Sequence, residues 1–488
     1  MKPLDPRILT VATAAVLVRL PWLQARSLWF DEIFTANAVT YEKSLAGIIN
    51  VTIARDAHPP LYYLLMWFWA HLSGIYGTAW PEPPAGIELY LRLPSVLLGG
   101  ANATLVYLLA RRYFSPTTAA IAGLLYAFHP YAIYQDTQAR MYPLLTFAWL
   151  LMVYALALYL DRPGRRAALG FGLAGALALW THYLAPFLIL PGLAILAATT
   201  IARKRLRELG LAIAPMLSFL IWLPAFWHQL KVAAVSDNPR LPVPYNLYEI
   251  FLYLSGTTLT RSERWQNVQL TSVWTLGGLG WYALTRHPRA RTATLLFVVW
   301  PLATFTLWWA ASTYAVNISS VRYASIFTPF AALALAAALD WIGRQLRSYA
   351  VPVLGAASLV VLFMIAQLPL YPVPLENWRD AASVLRALKL QPGDTIMTTY
   401  SSRMLALLYY YRPPEGVQLR TTEPPRMPEP EPGHRTVFIP VRVGSQNYGY
   451  GENGLEFAHY VLEHYRFLGR PFGGAPMYHY PKTAGGAP

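Results

Sequence analysis

"RILTVATAAVLVRLPWLQARSLWFDEIFTANA", residues 7–38, runs from an apolar stretch through Trp22, Trp29 and Phe30 into two adjacent carboxylates, Asp31 and Glu32. About 20 apolar helical residues cross the ~30 Å hydrocarbon core of a bilayer, and tryptophans gather where such a helix leaves it. The stretch predicts a first membrane span over 7–24 with an acidic pair just beyond its end. A basic start precedes it and no small-residue cleavage site follows, so a retained span is expected rather than a cleaved leader.

The remaining sequence repeats the pattern. Of 488 residues, 55% are hydrophobic and only 13% charged, about half the charged share of a soluble chain. Further spans are expected at 88–110, 116–134, 141–160, 166–182, 184–200, 209–228, 271–285, 293–311, 322–342 and 350–370, eleven in all. Basic runs lie between them: Arg111-Arg112, "DRPGRR" (161–166), "ARKRLRE" (202–208), "TRHPRAR" (285–291) and "GRQLR" (343–347). With a cytoplasmic N-terminus, simple alternation puts all five inside, as basic loops prefer. The net charge of +15 is thus a topology signal, and nucleic acid is not an expected partner. The chain has no cysteine, which excludes disulfides, thiolate metal sites and cysteine nucleophiles. No phosphate-binding loop or dinucleotide fingerprint appears either.

Alternation leaves outside the loop 25–87, the turn 134–142, the loop 229–270, the segment 312–323 and the tail from 371. The expected architecture is an α-helical polytopic membrane domain over 1–371, with juxtamembrane helices in its first loop, and a small external α/β domain over 372–488. In that tail "ENWRDAASVLRALKLQPGDTIMTTY" reads as an amphipathic helix, a turn and a strand, and "TVFIPVRV" (436–443) as another strand. "EFAHYVLEHYRFL" (456–468) reads as a second amphipathic helix, and the Pro-rich "TEPPRMPEPEPGH" as a loop.

The external segments collect the residues able to do chemistry. Asp31 and Glu32 suit the first turn of a helix, where a solvated acidic pair is favoured by the helix dipole. Their neighbours "SLWF" are apolar, so at least one acid is expected in a partly desolvated site, where burial would make it a better proton acceptor. In "RDAHPPLYYLLMWFW" (55–69) the prolines end one helix and let another start, which would fix Asp56 and His58. His58 is a structural histidine at a helix start, a supporting partner or a metal ligand. In "YQDTQARMYP" (134–143) Asp136 would bind a divalent metal or pair with Arg140. Arg322 either snorkels or, like Arg140, offers a forked guanidinium to a phosphate. Tyr142 and Tyr323 stand beside these arginines as donor-binding candidates. Asp56, His58, Tyr62, Asp136 and His182 are candidates for holding the acceptor or supporting the site.

In this order, "SLWFDEIFTANA", "DAHPPLYYLLMWFW", "LRLPSVLLG", "YQDTQARMYPLL", "THY" and "VRYASIFTPF" resemble bacterial membrane glycosyltransferases of the protein-mannosyltransferase-related, family-39-like group. That group belongs to the GT-C superfamily and includes the aminoarabinose transferase of lipid A as a relative. The resemblance covers roughly residues 20–340, and "ENWRDAASVLR" (376–386) resembles the start of the group's external domain. It implies an inverting glycosyltransferase at the outer side of the cytoplasmic membrane. Such an enzyme moves a sugar from a polyprenyl-phosphate donor, within membrane lipid, to a glycan, lipid or protein acceptor. Asp31 takes the place of the general base and Glu32 that of its orienting neighbour. The second acid of the family falls on Asp136, or on Gln138. Members differ over a divalent cation such as Mg or Mn. Here the arginines favour no obligatory metal, with Asp136 and His58 as the ligands otherwise expected. A lipid-linked-sugar transporter shares much of this inventory, but no internal repeat is seen and the acids gather on one side. An oligosaccharyltransferase-like enzyme shares "WFD", but its tail motif is missing.

Overall fold

The computed structural model describes residues 5–78, 83–234, 243–257, 262–287, 289–314, 321–367, 378–399, 401–422, 434–439, 466–469 and 477–480. They fall into two compact units. The first comprises Met1–Pro21, Ser44–Met66 and Arg92–Gln367, and the second Trp22–Lys43, Trp67–Leu91 and Leu368–Pro488.

The helices in chain order are α1 (Pro6–Arg19), α2 (Phe30–Tyr41), α3 (Leu45–Arg55), α4 (Leu61–Leu72), α5 (Ile87–Arg111), α6 (Pro116–Phe128), α7 (Pro130–Asp136), α8 (Tyr142–Asp161), α9 (Arg165–Thr181) and α10 (Ala185–Ala202). They continue with α11 (Leu206–Ile213), α12 (Leu223–Ala234), α13 (Val243–Leu254), α14 (Glu263–Thr285), α15 (Ala290–Thr294), α16 (Trp300–Tyr314), α17 (Thr328–Gln345), α18 (Ala350–Gln367), α19 (Trp378–Leu388) and α20 (Ser401–Tyr410). Among the described residues every expected span falls largely on helix. Among the described residues seven helical stretches are long and apolar enough to cross a bilayer unaided; α1, α6 and α9 are shorter, and α14 is less apolar. The protein is a polytopic α-helical membrane protein.

Local chemistry sets the ends of these helices. The Asp5 carboxylate accepts the Arg7 backbone N–H at 3.1 Å and Pro6 opens α1, as N-cap and first-turn preferences require. The span expected over 116–134 is broken. Pro130 cannot continue a helix and biases the residue before it to extended backbone. His129 adopts φ −63°, ψ 120°, and α7 starts afresh. Small residues let helices approach closely, as in other membrane bundles. A Cβ on Gly280 of α14 would lie 1.8 Å from the Ala334 carbonyl oxygen of α17. One on Gly192 of α10 would lie 2.2 Å from the Trp300 ring.

The second unit joins first-loop segments to the tail. In α2 the Glu32 carboxylate, at the third helical position, accepts the Trp29 backbone N–H at 3.3 Å. This is half of a capping box. α2 packs against α20. Glu88, 1% exposed, is the polar centre of the unit: its Oε1 accepts from the Tyr410 hydroxyl at 3.1 Å and from Arg379 Nη1 at 3.2 Å. The Leu28 N–H donates to the same Tyr410 oxygen at 2.8 Å, and the Trp378 N–H to Ser27 Oγ at 3.0 Å.

The expected strands β1 (Thr395–Thr399) and β3 (Thr436–Ile439) form, with β2 (Gln418–Thr422), β4 (Arg466–Gly469) and β5 (Met477–Tyr480). The sheet order is β2-β1-β3-β5-β4; β1 runs parallel to both neighbours, and β5 antiparallel to β3 and β4. The helix expected over 456–468 lies mostly outside the described residues, but Arg466–Leu468 are strand, paired with β5. The Pro-rich loop also lies outside them, apart from Thr422 and His434.

Candidate active site

In the first unit, α3 ends at Arg55, α4 starts at Leu61, and the prolines between hold Asp56 and His58 in a short loop. Gln229 of α12, 2% exposed, fixes that loop from behind. Its Nε2 donates to the carbonyls of Thr52 and Asp56, both at 2.9 Å, and lies 3.4 Å from that of His58. Its Oε1 accepts from the Tyr183 hydroxyl.

Asp56 and His58 face each other. His58 Nδ1 is 3.0 and 3.1 Å from the two Asp56 oxygens. An ionised carboxylate only accepts, so this nitrogen carries the proton. The Tyr63 hydroxyl donates to Asp56 Oδ2 and accepts from Arg140 Nη1 at 3.0 Å. Burial alone would raise the Asp56 carboxyl. The His58 imidazole, Arg140 and the Tyr63 hydroxyl together outweigh it and hold Asp56 well below the usual carboxylate range.

His182 occupies the turn between α9 and α10, one residue past the end of α9. Its ring centroid lies 4.8 Å from that of His58, 5.1 Å from Tyr323 and 5.9 Å from Tyr142. The charges acting on it are those of His58, Arg140, Asp56 and Arg322. His58 and the Arg140 and Arg322 guanidinium groups act on this ring as positive charges, against the one Asp56 carboxylate. The cluster therefore carries excess positive charge, and Arg140 is 2% exposed. Such a place attracts an anion.

The structure thus brings together seven sequence-expected residues, Asp56, His58, Arg140, Tyr142, His182, Arg322 and Tyr323. Tyr62 is 2% exposed and packs edge-on against Tyr63 at 5.7 Å. Asp136 is drawn elsewhere. Its Oδ2 accepts from Arg19 Nε at 3.0 Å and Nη2 at 2.8 Å, so the expected pairing with Arg140 is replaced by one with α1. Gln138, the other position considered, donates to the Tyr134 carbonyl at 3.2 Å. His58 and Asp136, the proposed metal ligands, are engaged by different partners. Among the described residues no three His, Asp or Glu side chains converge as a metal site would require.

In the second unit, Glu32 is 0% exposed and Asp31 only partly buried. The desolvated acid is therefore Glu32, held by its own helix start, while Asp31 has access to solvent. Burial lowers the Arg403 guanidinium of α20, and the Asp31 carboxylate opposes that shift. Sequence reasoning missed Arg403, Arg19, Gln229 and the bridging role of Tyr63. Arg19 alone left a signal: a charge inside an apolar run is costly unless paired or functional.

Residues 57–228 match the dolichyl-phosphate-mannose-protein mannosyltransferase family. The matched segment contains His58, Tyr63, Arg140, Tyr142 and His182. No curated protein sequence matches the chain. The fold is that of ArnT from Cupriavidus metallidurans. Its apo structure aligns with a TM-score of 0.57 and its complex with undecaprenyl phosphate with 0.53, each at 16% identity over 99% of this chain and 98% of that one. An Archaeoglobus fulgidus oligosaccharyltransferase aligns less well, with a TM-score of 0.49 at 13% identity over 86% of this chain and 64% of that one.

Proposed function

We infer that this chain, a multi-pass membrane glycosyltransferase with the GT-C fold, transfers a sugar from a polyprenyl-phosphate donor to an acceptor at the outer face of the cytoplasmic membrane. The observation that carries this is the positively charged cluster around the buried His182, in which Arg140 is also buried and Arg322 and Asp56 are partly so. Excess positive charge suits a phosphodiester, which is an anion. ArnT of the same fold is known with undecaprenyl phosphate bound, and the matched family is named for a lipid-phosphate sugar donor. The side assignment is supported by the five basic runs, which alternation puts on the cytoplasmic face.

The chemistry proposed takes Asp31 as base from the resemblance carried by "SLWFDEIFTANA". The acceptor oxygen attacks the anomeric carbon from the face opposite the phosphate, and its proton passes to the Asp31 carboxylate. The bond from the anomeric carbon to the phosphate oxygen breaks, and the leaving phosphate keeps the electron pair. Its added negative charge is what Arg140 and Arg322 stabilise, by preorganised electrostatics. Asp31 is preferred to Glu32 as base because Glu32 is enclosed and already accepts the Trp29 N–H. A transferable proton needs an acceptor within reach of the incoming hydroxyl. No step is assigned to a metal, since the expected ligands Asp136 and His58 have other partners.

The test is sugar transfer by the purified protein from radiolabelled polyprenyl-phosphate donors to membrane lipid, glycan and peptide acceptors. Chelator and added Mg or Mn form parallel arms. Turnover by the wild type that disappears in Asp31→Asn, with donor binding intact, is expected. Undiminished turnover in Asp31→Asn would remove the base assignment. Donor carried across vesicle membranes without any transfer would instead identify a transporter.

A further inference from the structure

We propose that the Nε2–H of His182 donates directly to the phosphate of the lipid-linked donor and selects for that group. This rests on the function inferred above and names an atom within the same site. Its basis is a hydrogen-bond inventory. His182 is 3% exposed. Its Nδ1 lies 3.0 Å from the backbone N–H of Leu184, two residues on in the same turn. A backbone N–H can only donate, so Nδ1 is the acceptor and the neutral ring bears its proton on Nε2. That N–H is buried and has no hydrogen-bond partner among the described residues. Buried donors in folded proteins are almost always satisfied, and an exception calls for an explanation.

The orientation is not accidental. Turning the ring over would place a carbon where Nδ1 now meets Leu184 and would lose that bond. The rings of His58, Tyr142 and Tyr323 pack around the imidazole. The charges acting on it are His58, Arg140 and Arg322 against Asp56, so a donor aimed among them suits an anion and not a cation. A neutral donor adds direction without adding charge. The reaction converts a singly charged phosphodiester into a more highly charged monoester. A third fixed cation would hold that product more tightly, whereas a neutral N–H recognises both forms and leaves the electrostatics to the arginines.

A packing role is the competing explanation, with the N–H directed at the face of Tyr323, whose ring stands at 74° to the imidazole. The two are separated by comparing ligands that share a tail. Binding of undecaprenyl phosphate and of undecaprenol to the full-length protein in nanodiscs would be measured for wild type, His182→Phe and His182→Gln. The Gln amide keeps an N–H near the Nε2 position; Phe keeps only the ring. Expected is a loss of roughly 10- to 100-fold in undecaprenyl phosphate affinity for His182→Phe. Undecaprenol binding should be unchanged, and His182→Gln should recover most of the loss. A His182→Phe protein that still prefers the phosphate as the wild type does would overturn the proposal, as would equal losses for both lipids in both variants. A wild type that does not distinguish the two lipids would overturn this proposal and the donor assignment together.

Discussion

Arg19 and Asp136, separated by 117 positions, form an ion pair in which two guanidinium nitrogens converge on one carboxylate oxygen, with side chains 0% and 4% exposed. Arg19 also donates to the Ala15 and Ala127 carbonyls, each at 2.8 Å. The pair ties α1 to the end of α7 and leaves Arg140 to the other cluster.

Removing one partner strands a buried charge, which costs about 3–5 kcal/mol, whereas replacing both by apolar groups is often nearly neutral. Arg19→Leu and Asp136→Leu are each expected to lower the thermal unfolding temperature in detergent strongly. The double variant should be more stable than either single one. Additive losses would contradict the pairing.

Tyr63→Phe deletes one hydroxyl that joins Asp56 to Arg140. Leaving buried polar groups short of a partner costs about 1–3 kcal/mol. Donor affinity should fall with stability, because Arg140 loses the contact that orients it. A variant that binds undecaprenyl phosphate as tightly as wild type would show that Arg140 needs no such support.

Acid should weaken the Asp56–His58 loop in a defined direction. Burial would raise the Asp56 carboxyl, but His58, Arg140 and Tyr63 hold it below the ordinary range in the folded protein. The stability this gives is complete above the unfolded value of about 3.9. It is lost as pH falls from there toward the folded value, where the native carboxylate takes up its proton. The stability difference between wild type and Asp56→Asn should therefore be flat near neutrality and shrink only below about pH 5. A difference that already falls between pH 8 and 6 would contradict the low Asp56 value.

Transfer itself should respond unequally to the two units. Asp31→Asn is expected to reduce kcat by about 10²- to 10⁴-fold, the usual worth of general-base catalysis. Arg140→Gln should reduce kcat/KM for the donor by about 10²-fold or more, as loss of a preorganised charge contact does. Steady-state rates at varied donor concentration distinguish the two effects.

In the second unit, Tyr410→Phe should cost about 1–2 kcal/mol. The hydroxyl it removes both accepts the Leu28 N–H and donates to Glu88. Limited proteolysis near residues 24–29 should quicken in the variant while α8 and α17 stay protected.

The sequence showed where helices lie because a bilayer demands long apolar runs, and among the described residues those runs are largely helix. It also named most members of the His182 cluster, since charged and aromatic residues between spans stand out. Partners were harder to read. Asp136 and Arg140 are four residues apart and suggested each other. Arg19 lies inside the expected first span with no role assigned to it, and only tertiary packing brings it to Asp136. Pro130 was a visible stop signal, and the span expected to 134 ran past it. The segment 456–468 has a helical period, yet its last residues pair with β5, because sheet hydrogen bonding overrode local pattern.

The Gln229 amide sets an order of events as the chain is made. The loop bearing Asp56 and His58 leaves the ribosome early, but the side chain that fixes its carbonyls comes 171 to 177 residues later. Until α12 has been inserted, Thr52, Asp56 and His58 lack the contact that shapes their backbone. The anion cluster is thus a late product of biogenesis, completed only after most of the first unit's helices are in place.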